Sequence, residues 1–419
     1  MPEGRQQGAR GRHQGEASRR QFGEARGQQL GEARGRQPSE ARGRSNAHDV
    51  PGHFYAECVG GLEPFVVAEL AGVAGAQSAG AGGQESGAAR ELPFRFAGPW
   101  KRLLALRTAT AVHAVVVESA PRPAALLDDG ALKRLMAVIG HVRSLHPKGT
   151  FRTVRLSAAG ADSSTFRRMR ERVTTETGLA DIEEGGDLLL RVRRAPTGEG
   201  FELTVCISPR PLSARAWRRC NLPGALNATV AAVMVDLTQP APDDVFLNLG
   251  CGSGTLVIER ALAGPAARLI GCDTDPRAHA CAAENVAGAG LSPTIGISLG
   301  ADDAPLVGNG SASVELQPWD ATELPLPNAS VDALVVDLPF GQLVGSHATN
   351  EQLYPALLKE AARVACPGAR LVAITQQLRL FERSALELAA YWQSEQSIRL
   401  TIPTNAGAIS PRVFVLQRW

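Results

Sequence analysis

Residues 245–273, VFLNLGCGSGTLVIERALAGPAARLIGCD, decide how the C-terminal half of the chain folds. The apolar run VFLNL leads into three glycines spaced two apart. A helical pattern, TLVIERALAG, follows, then a second apolar run ending at Asp273. Strand, glycine turn, helix and strand make one β–α–β unit, whose crossover helix requires parallel strands. The alternation continues: PRAHACAAENVAGAG reads as a helix, VELQPWD and VDALVVD as strands, and EQLYPALLKEAARVA as a helix. GARLVAIT is a strand, a helix runs through Leu386, and QSIRLTI and RVFVLQR complete the set. Residues 292–313, rich in Gly, Ser and Asp, interrupt the series and are expected to form a surface insertion.

Upstream the pattern is α+β. FYAEC reads as a strand and GLEPFVVAELAGV as a helix with Leu62, Phe65, Val66 and Leu70 on one face. The Gly/Ala/Ser-rich stretch 74–87 is expected to be a flexible loop. LPFRFAG follows as a strand, PWKRLLALRTA as a helix opened by Pro99, and VHAVVVES as a buried strand. A second unit comprises a helix over about 124–145, the strand FRTVRLSA, a helix SSTFRRMRERVTTETG closed by Gly178, and the strands DLLLRVRRA and FELTVCISP. Residues 1–47 repeat one theme (GEARGQQ, GEARGRQ, SEARGRS) with almost nothing apolar beyond Phe22 and Leu30. Such a segment cannot offset its ordering entropy and is expected to be disordered.

The chain has 419 residues, of which 44% are apolar, enough for more than one core. Its formal net charge of +2 hides an asymmetry. Residues 1–47 carry +5, residues 48–140 carry −1, residues 141–220 carry +6 and residues 221–419 carry −8. A basic module ahead of an acidic one suits a protein in which one part meets a polyanion, although excess charge is often only a solvated surface. No run is apolar enough for a membrane span, and the first 50 residues hold no signal-peptide core. Seven cysteines without a C-x-x-C pair argue against a disulfide framework and a zinc site. A cytoplasmic, monomeric, multidomain protein without a metal is expected.

The chemistry concentrates at strand ends. Asn248, Gly250, Cys251, Gly252 and Gly254 form a turn in which backbone can approach a ligand beside a helix N-terminus. Neither G-x-G-x-x-G nor the P-loop pattern is matched. Asp273 stands 19 residues after Gly254 at the end of the next strand, where a carboxylate can accept both hydroxyls of an adenosine ribose. Asp320, past the third strand, is placed to receive the exocyclic amine of the adenine. Any one of these acids could instead cap a helix; three features in register make capping alone a poor account. At the end of the fourth strand, Asp337-Leu338-Pro339-Phe340-Gly341 combines a carboxylate, a rigid turn and an aromatic face, a set suited to a flipped nucleobase. Acceptance of an exocyclic amine's N–H groups by Asp337 and the Leu338 carbonyl would aim its lone pair at an electrophilic methyl.

The series NLGCGSG, CDTDP and PWDATELPLPNASVDALVVDLPFG resembles that of S-adenosylmethionine-dependent N-methyltransferases acting on amino groups. Leu338 departs from the usual [N/D]-P-P-[Y/F] string. With the following Gly, it is similar to the THUMP-containing RNA guanine-N2 methyltransferases, especially the branch modifying the tRNA acceptor stem at position 6. FYAECVGGLEPFVVAEL resembles that family's ferredoxin-like start; FRTVRLSAAGADSSTFRRM and SPRPLSARAWRRCNLPGALNATVAAVMVDL resemble its THUMP domain and linker. The resemblance covers about residues 50–419. It leaves the tail at 1–47 and the 292–313 insertion unmatched, and implies a ferredoxin-like domain at 48–122, a THUMP domain at 123–212 and a linker with the first methyltransferase helix at 213–242. A seven-stranded Rossmann-like class I methyltransferase domain would occupy 243–419. It also implies S-adenosyl-L-methionine as cofactor, tRNA gripped by the N-terminal parts, and Leu226, Asn227 and Thr229 at the cofactor's edge, although Asn227 could equally cap a helix.

The leading expectation is methyl transfer to guanosine N2 in tRNA. Ribosomal RNA is a rival substrate. Protein glutamine methylation is opposed by Asp337 in place of Asn and by the basic module. A catalytically silent RNA-binding protein is opposed by the intact Gly250, Gly252, Gly254, Asp273, Asp320 and Asp337.

Overall fold

The computed structural model describes residues 52–419 apart from 79–83, 87–88, 197, 297–312, 341–346 and 405–406. The expected tail 1–47, the middle of the expected 292–313 insertion and Gly341 lie outside the described residues.

In the N-terminal half, period-two apolar patterning gives β1 (His53–Val59), with Phe54, Ala56 and Cys58 buried, ahead of α1 (Glu63–Gly72). Instead of a featureless loop over 74–87, the strands β2 (Ala76–Ser78) and β3 (Gln84–Ser86) both pair with β4 (Ala89–Phe96). The long β4 leaves an edge, and even Gly/Ala-rich backbone can add to its ladder. The expected helix after Pro99 is only a 3-10 turn, Trp100–Ala105, because Leu106 is already extended. Its Trp100 and Leu103 are nevertheless core residues. β5 (Ala111–Ala120) follows. The next expected helix is broken by extended Asp128 into a 3-10 turn, Pro123–Leu127, and α2 (Asp129–Ser144). Then come β6 (Thr153–Ala158), α3 (Ser164–Thr177), β7 (Ala180–Asp181), β8 (Leu188–Arg194) and β9 (Phe201–Cys206). α3 stops where expected: Gly178 is left-handed (φ 70°) and its amide returns to the Thr174 carbonyl.

These strands form one sheet in the order β2-β4-β1-β5-β9-β8-β6-β7, with β3 also on β4, so the two N-terminal units meet edge to edge through antiparallel β5 and β9. A chain of ion pairs crosses the junction. Arg191 bonds Glu57 (2.7 Å) and Glu91 (2.6 Å), Arg193 pairs with Glu91 and Glu202, and Tyr55 donates to Glu202 at 3.1 Å. Burial would raise the Glu57 carboxyl, but His113 and Arg191 hold it down at about 2. Part of the positive charge of residues 141–220 is therefore spent inside the fold. Lys148 and the α3 residues Arg167 and Arg168 remain exposed.

The C-terminal half supplies α4 (Ala228–Leu237), β10 (Val245–Leu249), α5 (Thr255–Ala263), β11 (Arg268–Cys272), α6 (Pro276–Gly288), β12 (Ser292–Ile295), β13 (Ser313–Gln317) and β14 (Val331–Asp337). It ends with α7 (His347–Val364), β15 (Ala365–Thr375), α8 (Leu378–Glu387), β16 (Trp392–Arg399), the short pair β17 (Ile402–Thr404) and β18 (Gly407–Ile409), and β19 (Arg412–Arg418). The main sheet runs β12-β13-β11-β10-β14-β15-β19-β16, parallel except for β19, which is antiparallel to both β15 and β16. Among the described residues this sheet has eight strands, where seven were expected. The extra one is β12, at the start of the expected insertion, where Ser292–Ile295 pairs with β13. Its polar residues hid it, since an edge strand need not be apolar. Buried side chains fill both faces of the sheet.

The halves are joined by specific contacts. The Thr401 amide donates to the Gly60 carbonyl at 2.9 Å, and Leu62 packs in the C-terminal core with Leu400. Gly61 has φ 97°, and a Cβ there would lie 2.2 Å from the Arg399 carbonyl oxygen. Fully buried Glu259 on α5 accepts Arg107 Nε at 3.0 Å from the N-terminal half and Arg215 Nε at 2.8 Å from the linker. The linker is also tied by a Cys220–Cys281 disulfide. That bridge runs against the cysteine count, which speaks to multi-bridge scaffolds and not to one pair 61 residues apart. Among the described residues no helix is long and apolar enough to cross a membrane, and no cluster of His, Cys, Asp or Glu could hold a metal ion.

Candidate active site

The chain leaves β10 toward β11 and β13 on one side, then returns to β14 on the other. The resulting switch point lies between β10 and β14, where open α/β sheets bind ligands. Register aligns the site. Leu249 is level with Cys272 on one neighbour and with Val336 on the other, and Cys272 with Gln317. The glycine turn, Asp273 and Asp337 therefore emerge together at the carboxyl ends of adjacent strands, with Asp320 three residues past β13. At about 4.8 Å per strand the row spans roughly 14 Å, a length suited to an elongated nucleoside ligand.

Gly250, Gly252 and Gly254 are all left-handed (φ 61°, 52° and 81°). A Cβ on Gly250 or Gly252 would meet nothing within 4 Å, whereas at Gly254 it would press on Ala282 at 3.2 Å. The first two thus border open space a ligand can approach, and the third lets α5 pack on α6. The Gly252 amide donates to Asp273 Oδ2 at 2.8 Å, and Asp273 Oδ1 accepts the Asp275 amide at 3.0 Å. Cys251 is buried, its amide is given to the Cys272 carbonyl at 2.7 Å, and burial pushes its thiol well up, so it stays protonated. Asn248 lies wholly buried under the turn, its Nδ2 toward the Val335 carbonyl at 3.5 Å. Asp320 Oδ1 accepts the Thr322 hydroxyl at 2.6 Å and amide at 2.8 Å, bonds that lower its pKa.

Asn227 caps α4: its Oδ1 accepts the Thr229 amide at 2.9 Å and hydroxyl at 2.8 Å. The capping alternative therefore describes this pair. The Leu226 carbonyl accepts Arg218 Nη2 at 2.8 Å, and the same nitrogen reaches Thr255 Oγ1 at 2.9 Å, the first residue after the glycine turn. Asn285 adds a second tie. Its Oδ1 accepts the Arg219 and Cys220 amides, and its Nδ2 donates to the Cys220 and Ser253 carbonyls at 2.9 Å each. Sequence reasoning missed Arg218 and Asn285, which carry no motif.

Asp337 ends β14. No hydrogen bond from a described residue reaches its carboxylate, and burial pushes its pKa from 3.8 up to about 7. Leu338 is buried, and its amide donates to the Ile374 carbonyl at 3.1 Å. The Pro339 carbonyl accepts Asn350 Nδ2 at 2.7 Å and the Tyr354 hydroxyl at 2.9 Å, and the Phe340 carbonyl accepts Gln377 Nε2 at 3.0 Å. Phe340 itself is half-buried. Asn350, Tyr354 and Gln377 were also missed. The only trace was the Asn-x-x-x-Tyr spacing of one helix face.

Residues 215–404 match a family described as UPF0020: RMKL-like, methyltransferase domain. The match lies on the C-terminal half of the chain, over the linker and most of the main sheet. Among curated proteins, the chain is 33% identical over 197 residues to tRNA (guanine(6)-N(2))-methyltransferase THUMP3 of Bos taurus, covering 47% of this chain. The chain spans 37% of that relative's length. The crystal structure of TrmN from Thermus thermophilus aligns with a TM-score of 0.62 at 21% identity, covering 88% of this chain and 99% of that one. SMU.472, a putative methyltransferase complexed with SAH, aligns at 0.56 with 14% identity, covering 87% and 98%. These two likenesses establish the fold of the methyltransferase domain and of the half preceding it.

Proposed function

We propose that the protein transfers a methyl group from S-adenosyl-L-methionine to the exocyclic N2 amine of a guanosine in RNA, with tRNA as the substrate. The observation that carries the proposal is the juxtaposition across β10 and β14 of an open glycine turn with the half-buried Asp337 carboxylate, to which no described residue donates. Asp273 and Asp320 would hold the ribose and adenine ends, and Gly250 and Gly252 would admit the cofactor's backbone-lined flank. Bound there, the cofactor supplies an electrophilic methyl. This chain's own residues hold and orient the acceptor: Asp337 and the Leu338 carbonyl accept the two N–H groups of the amine, and Phe340 stacks on the base.

The name of the bovine relative supports guanine N2 as the target and tRNA as the RNA. Leu338 in place of the usual Pro agrees with that branch. Recognition of the acceptor stem, a THUMP domain at 123–212 after a ferredoxin-like domain at 48–122, and a flipped base belong to the same proposal. Exposed Lys148, Arg167 and Arg168 offer phosphate contacts for it. Nucleosides from tRNA and from rRNA incubated with protein and labelled donor, resolved by mass spectrometry, test it. N2-methylguanosine in tRNA supports the proposal. Label only in rRNA would move the substrate, and label in protein or at another base atom would overturn the chemistry.

A further inference from the structure

We propose that Asn350 and Tyr354, with Gln377, are positioning residues that set the direction of the two acceptors offered at Asp337 and Leu338; this rests on the assignment of that turn to the target amine. Over 338–340 three of the five backbone polar groups are taken. The Leu338 amide goes to Ile374, the Pro339 carbonyl takes two donors from one face of α7, and the Phe340 carbonyl takes one from the start of α8. Among the described residues, the groups left without a donor are the Leu338 carbonyl and the Asp337 carboxylate. The proline ring locks φ at residue 339, so with the Pro339 carbonyl held by two donors and the Leu338 amide held by Ile374, only φ and ψ of Leu338 and ψ of Pro339 remain between these anchors to turn the plane that carries the Leu338 carbonyl.

The donors are themselves held. A carbonyl cannot donate, so the single Tyr354 hydroxyl proton points at Pro339. The hydroxyl oxygen must then accept from Thr375 Oγ1 at 2.8 Å, and Thr375 Oγ1 in turn accepts the Gln377 amide at 2.9 Å. Burial pushes the Tyr354 hydroxyl up to about 12, which keeps its proton in place. Asn350, Tyr354 and Thr375 are completely buried. This is a polar network in low-dielectric surroundings where each bond is worth more than at the surface.

The test measures kcat, KM for tRNA and S-adenosylmethionine affinity on the full chain carrying Tyr354→Phe, Asn350→Ala or both. Each single variant should lower kcat about tenfold and the pair about a hundredfold, with KM and cofactor affinity within about twofold of wild type. A general loss of structure would move all three together. If Asn350→Ala does not fold, Gln377→Ala at a half-buried position carries the same expectation. Asp337→Ala, run in parallel, separates the two proposals. Were it as active as wild type, the assignment of the turn to the amine would fall, and this inference with it. Were it impaired while Tyr354→Phe and Asn350→Ala turned over normally, only the positioning role would be overturned.

Discussion

Asp273 accepts the Gly252 amide through one carboxylate oxygen at 2.8 Å, so the residue expected to hold a ribose also holds the turn that borders the ligand. Removing it should therefore act twice, by deleting acceptors for the ribose hydroxyls and by releasing the glycine turn. Asp273→Ala should weaken S-adenosylmethionine binding by about ten- to a hundredfold, the loss of one or two charge-assisted hydrogen bonds. Asp273→Asn keeps one acceptor and should lose less. Calorimetry showing wild-type affinity for Asp273→Ala would remove that residue from the site.

The proposed role of Asp337 predicts a pH dependence of activity with a definite sign. Its folded-state pKa is raised by burial from 3.8 to about 7. If the ionised carboxylate accepts the amine's protons, kcat should rise about tenfold between pH 6 and pH 8 and then level off. Stability runs the other way. The cost of this desolvated charge is absent below the unfolded pKa, grows as pH rises toward 7, and is complete above it. Asp337→Asn should raise the melting temperature at pH 8 and leave it unchanged at pH 4. A wild-type rate that fell through pH 7 would reverse the protonation state assigned here.

Glu259 couples the two halves of the molecule. Its buried carboxylate serves Arg107 from one half and Arg215 from the linker, and its own backbone carbonyl takes Arg107 Nη2 at 2.8 Å. Glu259→Ala would leave two guanidinium groups with backbone carbonyls but no carboxylate and should cost about 3 kcal/mol. Denaturant unfolding with a loss below about 1 kcal/mol would show that the halves are held by other contacts.

Cys220 and Cys281 tie the linker to α6 beside Asn285. Non-reducing peptide mapping should recover the two joined, and titration in denaturant should find five free thiols. Reduction should lower stability by at most roughly 4 kcal/mol for a loop of this length. Seven free thiols in unreduced protein would contradict the bridge.

The parallel sheet was legible because its buried strands are apolar runs bounded by glycines and acids, with the candidate acids Asp273 and Asp337 at or next to strand ends and Asp320 three residues beyond one. β12 was not legible: an edge strand of Ser, Pro and Thr has no apolar signature. The strands flanking 79–83 escaped for a similar reason, since pairing with β4 uses only backbone. The helix cap at Asn227 was legible as an alternative to a place at the cofactor's edge, and its Oδ1 does accept the Thr229 amide. The donors behind 339–340 were invisible because Asn350, Tyr354 and Gln377 act through backbone carbonyls that only the folded chain brings near. The basic excess of 141–220 overstated the surface, because Arg191, Arg193 and Arg215 are paired inside.

The most direct test of the account is the single-turnover rate of methyl transfer to guanosine N2 in tRNA by Asp337→Ala, with cofactor affinity measured on the same preparation. The account predicts a fall of about a hundredfold or more at nearly unchanged cofactor binding. Phe340→Ala should lose about 1–3 kcal/mol of base stacking in the same assay. Methylation of N2 by Asp337→Ala at the wild-type rate would contradict the proposed active site.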